Sequence, residues 1–192
     1  SKISSTHDFE RFQKIISISR DLTSTLDLDI LLKRIIRAAV ELTGAEAASI
    51  LLYDERMAQL NFQVATNFDP KMRGLEVPVE SSIAGWIVKN RRPIIINDAQ
   101  NDERHFVKVS QTIGLTTQSL LGVPLIAKDK VSGVLEAINK QGGEFTAEDQ
   151  ESLMALGSHA AIAIENSRLF QQYDLIAELV HELRTPLASL RT

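Results

Sequence analysis

The chain of 192 residues contains no cysteine. This absence excludes disulfide bridges, iron–sulfur clusters held by cysteine, and chromophores attached through a thioether bond. No stretch approaches the roughly 20 apolar residues of a membrane-spanning helix, and the longest apolar piece, Leu120–Ala127, is interrupted by Gly122 and Pro124. These residues include no signal peptide. We therefore expect a cytoplasmic fragment without a membrane span, whose parent protein can still carry an anchor upstream.

An excess of positive charge is also missing. Lysine and arginine total 21 against 25 aspartate and glutamate residues, which gives a formal net charge of −4. Nucleic acid is therefore not an expected partner, because proteins that bind it cluster positive charge on one surface. What is present is a chain that is 44% hydrophobic, which is enough for one core of ordinary size and helical extensions.

The spacing of apolar residues predicts helices at both ends of the chain and strands between them. An amphipathic helix is expected over residues 1–24, with capping residues at 23–25, and a second helix ends at Gly44. A long last helix follows Thr146, where Asp149 completes a capping box. Strands are expected over 48–53, 59–66, 75–79, 93–96, 119–126 and 130–139, with a weak helix over 102–111.

This order of elements predicts an α+β fold. We expect an antiparallel sheet with helices on one face, flanked by the N-terminal helix and by a long C-terminal coiled-coil helix. Short stretches of the middle region support a more specific assignment: E-L-T-G-A at 41–45, G-W-I-V at 85–88, R-P-I at 92–94, L-G-V-P-L at 121–125, and G-V-L-E-A-I-N-K at 133–140. In this order and spacing they resemble the GAF domain family, which implies a sensor domain at residues 25–168.

One motif of the cyclic-nucleotide-binding members of that family is nearly complete. The motif is N-K-x(n)-F-x(3)-D-E, and this chain has Asn139, Lys140, Phe145 and Asp149, with Gln150 in place of the final glutamate. We predict that Lys140 pairs with Asp149 and joins the last strand to the last helix. In this interpretation the motif supports the fold rather than the binding of a cyclic nucleotide.

The resemblance also implies a ligand pocket between the sheet and the helices that follow the third strand. The residues that map to this pocket are Phe62, Trp86, Asn97, Asp98, Phe106, Thr117 and Ser119. We favour an ordinary core role for the three aromatic residues. Asn97 and Asp98 either present polar groups to a purine or another small ligand, or begin a turn. The sequence leaves the ligand unidentified, and we expect no metal or other cofactor in this fragment.

Beyond the sensor domain, apolar residues recur at alternating spacings of four and three. They are Leu169, Tyr173, Ile176, Val180, Leu183, Leu187 and Leu190. This heptad pattern predicts that residues 169–192 form a parallel coiled coil in a homodimer, with Asn166 at an a position that can fix the register. The alternative is a monomeric helix that folds back on the domain.

Residues 181–187 of the same helix have the sequence H-E-L-R-T-P-L. All seven fit the pattern H-E-x-[RK]-[TN]-P-[LI] and resemble the H-box of the sensor histidine kinases of two-component signalling. In that family the histidine takes the γ-phosphoryl group of ATP and passes it to an aspartate of a response regulator. The resemblance implies that His181 is the phosphoacceptor, that Glu182 is an acid/base, and that Thr185 positions a water for dephosphorylation of the partner.

The two resemblances together imply the sensor and transmitter part of a histidine kinase. We expect the intact parent to be an ATP-dependent protein histidine kinase, with ATP and Mg²⁺ bound in a kinase domain that these residues lack, so that the fragment alone is inactive. The expected partners are a second copy, a response regulator and a small molecule in the GAF pocket. The alternative is a dimeric GAF module that binds a cyclic nucleotide or another small ligand without phosphotransfer.

Overall fold

The structure is a computed structural model that describes the backbone of residues 2–66, 69–99, 101–102 and 116–189. It describes the side chains of the same residues except 2–8 and 185–189. The helices are α1 (Lys2–Leu22), α2 (Leu28–Thr43), α3 (Ile83–Asn90) and α4 (Ala147–Ser189), with a 3₁₀ turn at Pro70–Met72. The strands are β1 (Ala45–Asp54), β2 (Gln59–Ala65), β3 (Glu76–Val77), β4 (Ile94–Ile96), β5 (Leu120–Ala127) and β6 (Lys130–Lys140).

The strands form one antiparallel sheet, in the order β3-β2-β1-β6-β5-β4. The long strands β1 and β6 lie side by side at its centre and are buried along most of their length. β5 and β6 form a hairpin whose turn residues Lys128 and Asp129 have φ values of 49° and 62°, as two-residue hairpin turns require. The predicted α+β architecture is confirmed, although only Glu76–Val77 of the expected strand at 75–79 has strand structure.

Two hydrophobic clusters cover the two faces of the sheet. On the first face, which we call the α2/α4 face, Ile50 and Leu135 of the sheet pack with Ile35 of α2 and with Leu156 of α4. The end of α1 joins this cluster through the buried Leu22. On the opposite α3 face, the sheet packs against Ile87 and other residues of α3. Both terminal helices therefore lie on one face, as expected.

Local capping explains where the helices begin and end. The side chain of Asp27 accepts a hydrogen bond from the Ile30 amide (2.9 Å), which starts α2. The capping residues expected at 23–25 follow the end of α1, where Thr23 and Ser24 donate to the carbonyl oxygens of Arg20 and Asp21. Gly44, with φ of 63°, ends α2 as predicted.

The start of α4 has the predicted capping box. The Asp149 amide donates to Thr146 Oγ1 (3.1 Å), and the Thr146 amide donates to Asp149 Oδ2 (2.9 Å). From there α4 runs for 43 residues, which corresponds to about 64 Å at 1.5 Å per residue. The weak helix expected at 102–111 lies outside the described residues apart from Asp102. No described helix is both long enough and apolar enough to cross a membrane.

Candidate functional site

The long helix α4 has two parts with opposite surroundings. In the domain-bound half, residues 147–167, one side packs on the sheet and on α2. This half ends at the buried Ser167, whose hydroxyl donates to the Leu26 carbonyl oxygen (2.7 Å). In the projecting half, residues 169–184, every side chain is exposed. The described helix therefore does not fold back on the domain, which was the alternative to a coiled coil.

The projecting half carries an uncovered apolar stripe, which we call the seam. Its described members are exposed to the extent of 41% (Leu169), 71% (Tyr173), 57% (Ile176), 46% (Val180) and 61% (Leu183). A row of apolar side chains that is exposed to solvent is typical of an interaction site. The spacing of the seam fits a second helix of the same kind. Asn166, one turn before Leu169, is also exposed.

His181 lies beside the seam, one residue after Val180, and its side chain is exposed. Glu182 is exposed next to it, and neither side chain makes a hydrogen bond or ion pair with another described residue. The helix continues past Pro186 to Ser189, so the backbone of Thr185 lies one helical turn after His181. The side chain of Thr185 lies outside the described part of the chain.

The residues predicted to line the GAF pocket have mixed positions. Phe62 is buried in the cluster on the α3 face, and the half-buried Trp86 packs against the same cluster, which fits the core role favoured for them. Phe106 lies outside the described residues. Thr117 is half-buried at the end of the chain segment that leads into β5.

Three polar candidates for the pocket make hydrogen bonds within the protein. The amide group of Asn97 accepts from the Phe145 amide (2.9 Å) and donates to its carbonyl oxygen (3.3 Å), which ties the end of β4 to the approach of α4. Asp98 accepts two hydrogen bonds from Asn101, as in a turn. Ser119 Oγ accepts from the Lys140 amide (3.0 Å). Asp98 thus bonds within a turn, which was the second of its two expected roles, whereas Asn97 makes a long-range contact that the sequence did not predict.

The ion pair predicted between Lys140 and Asp149 is present. Lys140 Nζ lies 2.9 Å from Asp149 Oδ1 and also donates to the Thr43 carbonyl oxygen (2.6 Å), and both charged side chains are mostly buried. One ammonium group therefore joins the end of α2, the end of β6 and the start of α4. Asn139 supports the same corner, because its Oδ1 accepts from the Gln118 amide (2.8 Å) and its Nδ2 donates to Glu46 (2.9 Å).

A buried acid that the sequence analysis missed lies at the centre of the sheet. Glu136 of β6 is 1% exposed, and Ser49 Oγ of β1 donates to its Oε2 (3.0 Å). Its other oxygen, Oε1, is buried without a hydrogen-bond partner. Burial raises the pKa of the Glu136 carboxyl to about 7, against the opposing effect of the Ser49 hydrogen bond. A lone acid within the apolar stretch 133–138 was the sequence signal that could have identified it.

Comparison with known families matches residues 25–165, which are more than half of the chain, to the GAF domain. The antiparallel sheet between α3 and the α2/α4 layer, with the Asn139–Lys140 corner, thus defines a signalling or ligand-binding module. The chain belongs to the GAF domain family.

Known proteins similar to this chain come from different signalling systems. A probable 3′,5′-cyclic phosphodiesterase, pde-5 of Caenorhabditis elegans, is 27% identical over 91% of this chain, which spans only 24% of that protein's length. The GAF domain of a phosphoenolpyruvate-protein phosphotransferase from Coxiella burnetii superposes with a TM-score of 0.74 at 20% identity, covering 84% of this chain and 96% of that one. The GAF domain of a two-component sensor histidine kinase from Bacillus halodurans has a TM-score of 0.63 at 24% identity, covering 77% and 99%. These structural similarities establish the fold alone.

Proposed function

We propose that this chain is the sensor and transmitter part of a two-component histidine kinase. The GAF domain senses a signal and relays it through a dimeric α4 to His181. In the intact parent, an ATP-dependent protein histidine kinase, His181 is phosphorylated and then passes the phosphoryl group to an aspartate of a response regulator. ATP and Mg²⁺ are bound by a kinase domain outside these 192 residues.

A single observation carries this proposal: the seven-residue H-box match lies on the exposed half of a helix that is continuous with a GAF domain. A phosphoacceptor must be reached both by ATP and by a partner protein. His181 meets this requirement because it is exposed and follows the seam residue Val180, so that it faces away from the seam.

The chemistry expected of the H-box uses residues one turn apart. A ring nitrogen of His181 forms a bond to the γ-phosphorus of ATP while the bond to the bridging oxygen breaks and ADP leaves. Glu182 takes the proton from the other ring nitrogen, which leaves a phosphoramidate. In the opposing phosphatase reaction, the hydroxyl of Thr185 positions the water that removes the phosphoryl group from the response regulator.

The exposed seam supports dimerisation through α4. A second copy of α4 is the partner that a heptad stripe fits, and Asn166 at an a position restricts its register. A signal in the GAF domain shifts the packing of the domain-bound half on the sheet. Because the helix is continuous, this shift moves the projecting half and changes access to His181.

The test is phosphorylation of the full-length parent with γ-labelled ATP. His181→Gln should abolish the acid-labile label, because His181 is the only histidine of the H-box. His159→Gln, on the same helix, is the matched control and should keep the label. Retention of the label in His181→Gln would show that the central assignment is wrong.

Two further variants separate the proposed roles within the H-box. Glu182→Ala should slow autophosphorylation by about 10²-fold or more if Glu182 is the acid/base. Thr185→Ala should leave autophosphorylation largely intact but impair dephosphorylation of the regulator, because only the water loses its positioning group. Equal effects of both variants on both reactions would argue for a structural role of the segment.

A second candidate function is a dimeric GAF module that binds a small ligand without phosphotransfer. The observation that favours it is the similarity to a cyclic phosphodiesterase over most of the chain. Calorimetric titration of the 192-residue chain with cyclic GMP and cyclic AMP tests it. Micromolar binding, together with a parent that incorporates no label at His181, would replace the first proposal with this one.

A further inference from the structure

Glu136 is the one buried side chain that the fold leaves incompletely bonded within the described residues. Its Oε1 has no hydrogen-bond partner, although the residue is 1% exposed. A buried polar atom without a partner costs free energy, and native proteins avoid it unless the atom has another use. The buried polar side chains of the described residues include no lysine, arginine or histidine that could balance a carboxylate.

Small residues flank Glu136 in its row across the α3 face of the sheet. Strand pairing places Ala65, Ser49, Glu136 and Gly122 in one row across β2, β1, β6 and β5. The three neighbours are among the smallest residue types. We call this row the hollow.

Larger side chains border the hollow on both sides along the strands. One adjacent row contains Phe62, Leu51 and Val134, and the other contains Ile138, Leu120 and Ile96. All six are buried. The acid is therefore flanked by buried apolar side chains on both sides, and small-molecule sites likewise combine a mostly apolar lining with few polar groups.

Packing against α3 explains only one of the small residues. A Cβ atom on Gly122 would collide with Cδ1 of Ile87, so this glycine is required by the close approach of α3. Ile87 does not account for Ser49 and Ala65, which lie on the other side of Glu136. Neither of these two residues carries a side chain larger than a hydroxymethyl group in the row that contains Glu136.

We propose that the hollow is a ligand site for a small organic cation with N–H donors, an amine or an amidine, which binds to Glu136 Oε1 and Ser49 Oγ. The donor satisfies the unpaired oxygen, and the positive charge balances a buried carboxylate that has no counter-ion among the described residues. The hydroxyl of Ser49 already donates to Oε2 (3.0 Å), so its own oxygen can accept a second N–H group.

This proposal deepens the proposed sensor function, because it names the chemical class of the signal. Its test nevertheless involves no phosphoryl transfer. A negative result leaves the assignment of His181 intact, and loss of the label in His181→Gln does not bear on the hollow.

The experiment measures binding of acetamidinium to the 192-residue chain by ligand-observed NMR and by thermal shift. Saturable binding in the millimolar range is expected for so small a probe, about 4 kcal/mol of binding free energy. Two matched probes separate charge from hydrogen bonding: acetamide has N–H donors without charge, and tetramethylammonium has charge without N–H donors. Both should bind at least about tenfold more weakly than acetamidinium.

Variants then locate the binding. Glu136→Gln keeps an acceptor for Ser49 and should fold, but it should lose acetamidinium binding by about tenfold or more. Ser49→Ala should weaken binding to a smaller extent and provides a second variant if Glu136→Gln does not fold. Glu144→Gln, at an exposed acid, is the control and should change nothing. No binding up to about 100 mM, or equal binding to the wild type and Glu136→Gln, overturns the proposal.

Discussion

The two halves of α4 show how one helix can serve two kinds of partner. In the domain-bound half, Leu153, Leu156 and Ile164 are fully buried against the sheet and α2, whereas Tyr173, Ile176 and Leu183 of the projecting half are mostly exposed. The residue spacing differs accordingly. Apolar residues at 153, 156, 160, 161, 163 and 164 make the wide stripe of a helix on a core, and those from 169 onwards make a narrow heptad seam.

The difference in exposure between the two halves shows that burial within a single chain does not by itself indicate the role of an apolar residue. Small residues bring the domain-bound half close to β5, since a Cβ on Gly157 would lie 3.3 Å from Cγ2 of Val123. In the projecting half, large side chains face solvent in the single chain. Side chains of this size at this spacing suit a second helix. Mutations in the domain-bound half are therefore predicted to change the free energy of unfolding, and mutations in the seam to change the dimer dissociation constant.

The largest effect is expected at the seam. Ile176→Glu places a charge at a d position of both copies and should weaken dimerisation by at least about a thousandfold, roughly 4 kcal/mol. Sedimentation of the wild type should give about twice the chain mass of 21.3 kDa, and the variant should sediment as a monomer.

The matched control for this prediction is Leu175→Glu. Leu175 is as exposed as Ile176, 58% against 57%, but it lies at a c position away from the seam. The control should remain dimeric. A wild-type monomer at tens of micromolar, or equal dissociation by both variants, would contradict the distinction between seam and surface.

The next effect belongs to the domain-bound half. Leu156→Ala removes a side chain that is 2% exposed in the main cluster and should lower the free energy of unfolding by about 2–5 kcal/mol. Leu175→Ala, on the exposed half, should change it by less than about 0.5 kcal/mol. Urea unfolding followed by fluorescence of the single tryptophan, Trp86, measures both. Similar losses for the two variants would mean that the halves do not differ as described.

The fold was predictable from sequence wherever neighbouring residues determine it. The capping box of Thr146 and Asp149 spans three residues, the end of α2 depends on Gly44 alone, and the seam follows from residue spacing. The interruption of the first helix at Thr23 and Ser24 was predicted, but the cap of α2 at Asp27 was not, because all three are good capping residues and only the helix geometry decides between them.

The environment of Glu136 was not predictable in the same way. Its hydrogen bond to Ser49 joins residues 87 positions apart, and the hollow depends on the register of four strands. The pairing of Asn97 with Phe145 likewise spans 48 positions. Family resemblance located the pocket region but did not show which polar groups remain available after folding.

A third prediction uses the ionisation of Glu136, which should make the stability of the domain depend on pH without affecting dimerisation through the seam. Its pKa is raised from 4.5 to about 7 by burial, so the unfolded chain ionises this group at lower pH than the folded chain does. The domain should therefore lose stability as pH rises from about 4.5 to 7, and Glu136 should contribute about 3 kcal/mol of that loss. Below pH 4.5 the contribution is absent, because the group is protonated in both states.

The measurement compares the pH dependence of unfolding in the wild type and in Glu136→Gln. The difference between them should grow over the window from about 4.5 to 7 and stay constant above it. The dimer dissociation constant should have the same pH dependence in both proteins, because Glu136 is in the sheet and the seam is in the projecting half. An equal pH dependence of unfolding in both proteins would show that ionisation of the buried Glu136 does not destabilise the folded domain.

The smallest effect is expected where α4 begins. Asp149→Asn keeps an oxygen for the Thr146 amide but removes the charge that pairs with Lys140 Nζ at 2.9 Å. Because the two side chains are 11% and 20% exposed, loss of the pair should cost about 1–2 kcal/mol of unfolding free energy, less than for a fully buried pair. Glu151→Gln, at a pair whose acid is 71% exposed, should cost less than about 0.5 kcal/mol.

Asp149→Asn should leave the dimer dissociation constant unchanged in the 192-residue chain, since the seam begins about 30 Å further along the helix. If the dissociation constant changes together with the stability, the two halves of α4 are coupled within the 192-residue chain itself. The corner formed by Lys140 and Asp149 would then belong to the proposed signalling path and would not only support the fold.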